Sequence, residues 1–204
     1  YVKRLNKMSN TTPVIIIGQK VAGVNCNFIE RDLNKGVHLL ALHLLSLGLK
    51  DIAFIGGEPG VTIFEVRKKT YIETLKMYNP NFKPLVITND FYAKDGYDAM
   101  NTILSSHPHI KAIIAINDVV ASGAIRACLD AGKKCPDDIA VVSCDMFLDN
   151  AYHIPRLTTI NQHNDYLGHI AVHQIVATID GDSHDQRSQH SPELVVGESC
   201  GARK

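Results

Sequence analysis

Polar residues follow two apolar segments of this chain. Asn117 and Asp118 come directly after an apolar run at 111–116 (KAIIAI), and Asp145 comes shortly after a second run at 139–142. Their amide and carboxylate groups are hydrogen-bonding groups that a ligand can use. Spacing alone leaves an alternative open, in which Asp118 only caps a helix and Asp145 only starts a loop.

An amphipathic helix is predicted between these polar residues. Apolar side chains recur with helical spacing from Val119 to Ala131, Asp118 is the predicted N-cap, and Gly132 ends the helix. With an apolar strand on each side, the helix completes a strand-helix-strand unit whose strands are parallel and whose crossover is right-handed. Ligands sit beyond the carboxyl ends of such strands, where the polar residues fall.

The same alternation recurs along the chain. Thr62 and Glu65 match a capping box at the start of one helix, and Asp95 is the predicted cap of the next. Alternating strands and helices predict an α/β fold with a doubly wound parallel sheet. The further strands are predicted at 13–17, 51–55, 85–87, 157–160 and 193–196, and the further helices at 32–47, 95–105 and 163–179.

The composition fits a compact chain with a core. It has 204 residues, of which 45% are hydrophobic, and its 21 basic and 21 acidic residues give a formal charge of zero. A neutral chain is not drawn onto a phosphate backbone, so we do not expect it to bind DNA by itself. The chain has no apolar run long enough for a membrane span and its start is not a signal peptide, so no membrane partner is expected.

Metal, cofactor and enzyme chemistry are all disfavoured. Five scattered cysteines without CxxC spacing predict a reduced, cytoplasmic protein with no metal cage. His169 and His173 could share a metal, but no other ligand completes the set and an exposed helix face is favoured. The loop at 56–60 (GGEPG) lacks the ending of a phosphate-binding loop. Neither a GxSxG motif nor a paired nucleophile and base is present, so no catalytic residue, metal or cofactor is expected.

The first residues predict that the chain begins within a larger domain. Residues 1–8 read as the end of a helix, and the chain then enters the predicted strand at 13–17 almost at once. Too few earlier strands are present to flank that strand in a sheet. We therefore expect the N-terminal part of the fold to be incomplete.

Six motifs in order resemble the C-terminal part of the effector-binding region of LacI/GalR-family transcriptional regulators. They are PVIII, DLNKG leading into HLLSLGLKDIAFIGG, VRKKTYIETL, NDVVASGAIRACLDAGKKCPDDIAVVSCD, IPRLTTINQ and ELVVGES. The resemblance implies a periplasmic-binding-protein-like fold of type I, with two Rossmann-like lobes and a small ligand in the cleft between them. Residues 1–28 and 155–180 would form an incomplete N-terminal lobe, and residues 29–154 and 181–204 the C-terminal lobe.

The resemblance also implies ligand contacts at individual positions. Arg67 would form bidentate hydrogen bonds to sugar hydroxyls or ligand carboxylates, while Asn117 and Asp145 would hydrogen-bond to ligand hydroxyls. Phe91 would offer an aromatic platform to a sugar ring. Gln162 lies at a crossover, where its amide would reach either the ligand or the hinge backbone. From the residues alone, Arg67 is also compatible with a solvent-exposed helix face and Phe91 with an ordinary buried position.

Two departures from the family pattern change the expected pocket. Gly18 and Gln19 stand where the first-strand motif of the family ends in Asp-Arg, so one expected hydroxyl acceptor is missing. The ligand contact on this side of the cleft would come from Gln19. Cys144 and Met146 flank Asp145 where the family has Gly-Phe/Tyr-Asp-Asp, which removes a second carboxylate. A ligand with fewer hydroxyls, a phosphorylated ligand or an amide-bearing ligand is expected.

The function implied by the resemblance is regulation by a small, sugar-like effector. The effector would stabilise one arrangement of the lobes, and in a full-length homodimer it would reposition DNA-binding headpieces that this chain lacks. Two other functions compete with it. One is a periplasmic sugar-binding protein of an ABC transporter, and the other is a doubly wound enzyme such as a sugar-processing hydrolase.

Overall fold

The structure, a computed structural model, describes residues 1–146, 152–181 and 188–202. The chain forms two compact units, the first made of Tyr1–Asp32 with Gln162–Pro192 and the second of Leu33–Asn161 with Glu193–Lys204. Each unit is described by itself below. The lobe limits inferred from the family resemblance stay a prediction.

Strands and helices alternate through most of the chain, as the sequence pattern predicts. Each predicted strand and helix has a counterpart within a few residues. In chain order the elements are α1 (Val2–Ser9), β1 (Ile15–Gly18), β2 (Asn27–Arg31), α2 (Leu33–Ser46), β3 (Ile52–Ile55), α3 (Thr62–Tyr78), β4 (Leu85–Ile87), α4 (Ala93–Ser106), β5 (Ala112–Ala115), α5 (Asp118–Asp130), β6 (Ala140–Ser143), β7 (Thr159–Asn161), α6 (Asn164–Ile179), β8 (Ser188–His190) and β9 (Glu193–Val195).

A four-stranded parallel sheet organises the second unit. Its strand order is β4-β3-β5-β6, and all neighbouring strands run parallel. Every residue of β3, β5 and β6 is buried, which explains why these strands are continuous apolar runs without alternation. The prediction of an α/β fold built on parallel strands is confirmed.

One strand pair of the second unit departs from the parallel prediction. Strands β7 and β9 pair antiparallel, with Asn161 opposite Glu193 and Thr159 opposite Val195. A parallel bridge between Val142 and Thr158 joins the start of β7 to β6. The prediction that all strands run parallel is therefore wrong for this pair.

The first unit contains a three-stranded parallel sheet in the order β1-β2-β8. The sequence did not predict β2 or β8, because NFIER and SQH lack the apolar pattern of a strand. The polar segment at 181–190 contributes β8 at Ser188–His190, while 182–187 lie outside the described residues. Strand β1 is an apolar run, yet Ile17 is 41% exposed.

Two helix starts differ from the predicted caps. Thr62 is already helical and Val61 is the N-cap of α3, while Glu65 accepts a hydrogen bond from the Gly60 amide at 3.2 Å. Helix α4 begins before Asp95, whose carboxylate accepts a hydrogen bond from the amide of the N-cap residue Tyr92 at 3.0 Å. Both acidic residues therefore satisfy amides at a helix start from within the first turn rather than from the N-cap position.

Candidate ligand-binding site

The carboxyl ends of three strands of the second unit lie in register at one edge of the sheet. Ile55 of β3 is opposite Ala115 of β5, which is opposite Ser143 of β6. Side chains that follow these strands therefore meet at this edge, which we call the carboxyl edge. Asn117 follows β5 and Asp145 follows β6 at this edge.

Arg67 and Asp145 form a buried, bidentate ion pair at the carboxyl edge. Arg67 Nη2 donates to Asp145 Oδ1 at 2.7 Å and Nη1 donates to Oδ2 at 2.8 Å, while their side chains are 1% and 3% exposed. Nη1 also donates to the Ile116 carbonyl at 2.7 Å. The alternative interpretation of Arg67 as a solvent-exposed arginine is therefore wrong.

The pair fixes the charge of Arg67. Burial by itself would lower the pKa of the guanidinium, but the Asp145 carboxylate opposes this effect and the net result is a raised pKa. Arg67 is thus a cation whose charge Asp145 already compensates.

One edge of the Arg67 guanidinium remains available. The bonds to Asp145 and Ile116 use three of its five N–H groups. Nε is buried and has no hydrogen-bond partner among the described residues. The Nε–H and the second Nη2–H point along the same side of the planar group, so they suit a pair of neighbouring acceptors. A buried donor without a partner costs about 1–3 kcal/mol, and an acceptor on a ligand would recover that cost.

Asn117 is the N-cap of α5, and the prediction that Asp118 is the cap is wrong. The Asn117 Oδ1 accepts a hydrogen bond from the Val120 amide at 2.8 Å. Its Nδ2 donates to the Phe91 carbonyl at 3.2 Å. Both ends of the side-chain amide are therefore held by protein, and one N–H remains free to meet a ligand.

Phe91 follows β4 and is half-buried against the core of the second unit. Its position beside Asn117 depends on close packing of α4 and α5. A Cβ atom on Gly96 would lie 1.9 Å from the Val120 carbonyl oxygen, and one on Gly123 would lie 1.8 Å from that of Ala93. Glycine at both positions therefore lets the helices approach and holds the loops before them together.

The glycine-rich loop after β3 serves packing. Gly56 and Gly57 have φ angles of +86° and +91°. A Cβ on Gly56 would lie 2.6 Å from the Ile116 side chain, and a Cβ on Gly57 would lie 2.4 Å from the Phe64 ring. These positions require glycine both for backbone angle and for space. The loop thereby brings α3, which carries Arg67, against the carboxyl edge.

Asp118 is fully buried, and sequence reasoning missed its role. Its Oδ1 accepts a hydrogen bond from Thr159 Oγ1 at 2.9 Å and contacts the Ser143 hydroxyl, which lies 2.8 Å from Thr159 Oγ1. The group ties α5 to β6 and β7. The sequence carried a signal, because Asp118 shares helical spacing with the buried Ala121 and Ile125.

The other two predicted contact residues lie in the first unit. Gln19 is exposed, and its Nε2 donates to the Arg31 carbonyl at 2.9 Å. Gln162 is 2% exposed, and its Nε2 has no hydrogen-bond partner among the described residues. A role for either residue in ligand binding stays a prediction.

The described residues do not form a metal centre. Within the described ranges, no group of three or more His, Cys, Asp or Glu side chains is arranged to hold a metal ion. His169 and His173 both lie on the exposed side of α6, in agreement with the favoured interpretation.

Burial raises the pKa of the Cys144 thiol, next to Asp145, to about 12, so this thiol is neutral near pH 7. In the described part of the chain, no helix has both the length and the apolar character that a membrane crossing requires.

Comparisons with known proteins identify the family. Residues 41–200 match the periplasmic binding protein-like domain family. The HTH-type transcriptional repressor PurR of Pasteurella multocida is 29% identical over 203 residues, which cover 98% of this chain and 61% of the repressor. The ribose operon repressor of Halalkalibacterium halodurans is 32% identical over 176 residues, which cover 86% of this chain and 53% of the repressor. The chain thus spans little more than half the length of these relatives.

The fold comparison agrees with the sequence comparison. A LacI family transcriptional regulator from Enterococcus faecium, solved with bound ribose, superposes with a TM-score of 0.86 at 25% identity. The match covers 97% of this chain and 73% of that one. The chain therefore belongs to the periplasmic binding protein-like domain family, and within it to the effector-binding regions of LacI/GalR regulators.

Proposed function

We propose that the chain binds a small, neutral, polar effector at the carboxyl edge, on behalf of a LacI-type regulator of transcription. The observation that carries this proposal is the buried Arg67–Asp145 pair, which leaves one donor edge of the guanidinium without a partner among the described residues. Asn117 adds an amide N–H, and Phe91 adds an apolar surface.

The charge balance at this edge favours a neutral effector over a phosphorylated one. Arg67 is the only cation among the four proposed contact residues of the second unit, and Asp145 compensates it in a bidentate contact. A phosphate group would bring up to two negative charges next to Asp145, with no uncompensated cation among these four residues to receive them. Hydroxyl or carbonyl oxygens can accept from Nε and Nη2 without adding charge.

A sugar is the effector class that the comparisons favour. One relative is named a ribose operon repressor, and the similar structure from Enterococcus faecium holds ribose. Adjacent ring hydroxyls supply the paired acceptors that suit the free edge of Arg67, and the apolar face of a sugar ring suits Phe91. The family resemblance adds Gln19 and Gln162 as contacts with the same effector.

The relatives favour a regulator over the two competing functions. Both curated relatives described above are named as repressors, rather than as transport proteins or enzymes. In the full-length protein, a cytoplasmic homodimer, effector binding would change how DNA-binding headpieces are held. Sequencing the parent gene tests this part, because a helix-turn-helix at its start supports the regulator and a signal peptide supports the transport protein.

A calorimetric titration tests the effector class. The chain is titrated with ribose and, separately, with ribose 5-phosphate. We expect ribose to bind at least tenfold more tightly than ribose 5-phosphate. Arg67→Lys should weaken ribose binding at least tenfold, because lysine keeps the positive charge but lacks the two parallel N–H donors of the guanidinium. Arg126→Ala is the matched control, because Arg126 lies in the same unit on the surface, paired with Asp130.

Two results would contradict the proposal. Tighter binding of ribose 5-phosphate than of ribose would exclude the neutral class while keeping the site. An Arg67→Lys variant that binds its ligand as well as Arg126→Ala does would exclude the site itself. Unfolding curves of both variants show whether a loss of binding reflects a loss of fold.

A further inference from the structure

A cavity in the second unit lies apart from the carboxyl edge, between the C-terminal ends of α2 and α3. Its volume is about 610 Å³. We call it the α2–α3 pocket. Arg67 and Leu75 are eight residues apart on α3, which corresponds to about 12 Å along the helix axis. The residues that line the pocket are Leu42, Leu45, Ser46, Lys50, Leu75, Tyr78, Asn79 and Phe82.

The walls of the pocket are two helix faces. Leu42, Leu45 and Ser46 are spaced three and four residues apart on α2, so they share one face. Leu75, Tyr78 and Asn79 have the same spacing at the end of α3. Because both faces belong to packed helices, the apolar walls are part of the folded second unit.

Phe82 closes the pocket on a third side. The Phe82 amide donates to the Asn79 carbonyl at 2.8 Å, which holds the turn after α3. The Phe82 ring meets the ring of Tyr71 edge to face, with centroids 5.8 Å apart. Tyr71 is fully buried, and its hydroxyl donates to the Ile52 carbonyl at 2.8 Å. Phe82 is thus held in place by contacts outside the pocket.

The rim of the pocket carries positive charge. Neither lining segment, 42–50 (LHLLSLGLK) nor 75–83 (LKMYNPNFK), contains an Asp or a Glu, and Asp51, which follows Lys50, does not line the pocket. They contain Lys50, Lys76 and Lys83, and Lys50 lines the pocket itself. Within the described part of the chain Lys50 has no ion-pair partner. An apolar cavity with a free ammonium group at its rim is complementary to an amphipathic anion.

We propose that the α2–α3 pocket binds an amphipathic monoanion, a medium-chain carboxylate. The carboxylate pairs with the Lys50 ammonium, and the alkyl chain lies between Leu42, Leu45, Leu75 and Phe82. Its volume falls in the range of small-molecule sites, about 300–1,000 Å³. This site is independent of the effector proposed for the carboxyl edge.

Octanoate and its neutral counterpart octan-1-ol test the assignment in NMR titrations of the ¹⁵N-labelled chain. Octanoate should shift the backbone amides of 42–50 and 75–83 and leave that of Asn117 in place. Lys50→Met should raise the Kd of octanoate about fivefold, because this factor corresponds to the loss of one partly exposed ion pair. The Kd of octan-1-ol should stay unchanged. Lys83→Met is the matched control, because Lys83 follows Phe82 without lining the pocket, and it should change neither Kd.

Several outcomes would overturn the proposal. Octanoate affinity that is equal in the native chain and in Lys50→Met would remove the role of the ammonium group, and amide shifts centred outside the two segments would remove the site. Leu45→Glu places a carboxylate on the wall and should abolish octanoate binding while the amide spectrum stays that of a folded chain. If a second copy of this chain occupied the pocket instead, sedimentation would show a dimer that Leu45→Glu dissociates. Octanoate would then shift no amides in the native chain.

Discussion

Removing one partner of the Arg67–Asp145 pair should destabilise the second unit strongly. The perturbations are Arg67→Met and Asp145→Leu, singly and together, because each replacement keeps a similar shape and removes the charge. Each single variant leaves one buried charge without its partner, whereas the double variant leaves none. The double variant should therefore be more stable than the sum of the single losses predicts.

The expected magnitude follows from the burial and the bonds of the pair. Two charge-assisted hydrogen bonds of 2.7 and 2.8 Å join the groups, and their side chains are 1% and 3% exposed. Loss of one partner from such a buried pair costs about 3–5 kcal/mol in the free energy of unfolding. The coupling energy between the two positions should exceed about 2 kcal/mol.

Urea unfolding followed by circular dichroism at 222 nm measures these energies, since the chain has no tryptophan to serve as a fluorescence probe. The control is the same cycle for Arg126 and Asp130, an i,i+4 pair whose side chains are 70% and 38% exposed. Solvent screens an exposed helix pair of this kind, so its coupling energy should be small. A coupling energy for Arg67 and Asp145 no larger than that of Arg126 and Asp130 would refute the reasoning.

Two further substitutions probe packing and pH dependence. Gly57→Ala should lower the free energy of unfolding by at least about 2 kcal/mol, because a Cβ there would lie 2.4 Å from the Phe64 ring and the backbone φ is +91°. Gly132→Ala is the control. It should lower the free energy of unfolding by only about 1 kcal/mol, because nothing lies within 4 Å of its Cβ position. Equal losses in urea unfolding would contradict this. Burial raises the pKa of Cys144 from 9.0 to about 12, so its stabilising contribution is complete below pH 9 and is lost as the pH rises towards 12. Above pH 9 the free energy of unfolding of the native chain should decrease with pH, and in Cys144→Ala this decrease should be smaller by about 1.4 kcal/mol per pH unit. The same pH dependence in both proteins would count against a neutral buried thiol.

The fold was largely predictable for segments that are buried on both faces, because burial restricts them to apolar residues. Strands β3, β5 and β6 are buried on both faces, so their apolar runs stand out between polar turns. Strands β2 and β8 were missed because short strands with polar residues carry little apolar pattern. The antiparallel pairing of β7 with β9 joins segments more than thirty residues apart, and local pattern does not report such pairing.

The bonding at the carboxyl edge could not be predicted from the sequence. The sequence placed Asn117 and Asp145 after neighbouring strands, and the family resemblance added Arg67. The direct bond between Arg67 and Asp145 depends on side-chain geometry that spacing does not specify. The exchange of roles between Asn117 and Asp118 has a similar cause, since either residue type can cap a helix and only the buried face of α5 distinguishes them.

The register of β7 and β9 has a topological consequence. Asn161 and Glu193 are directly paired, so the polypeptide leaves the second unit and re-enters it at a single point. Everything between these two residues is an excursion whose ends are already neighbours. A short connector across that point would keep the second unit covalently continuous without residues 162–192, so this segment of the first unit can be exchanged while the unit that carries Arg67 is retained.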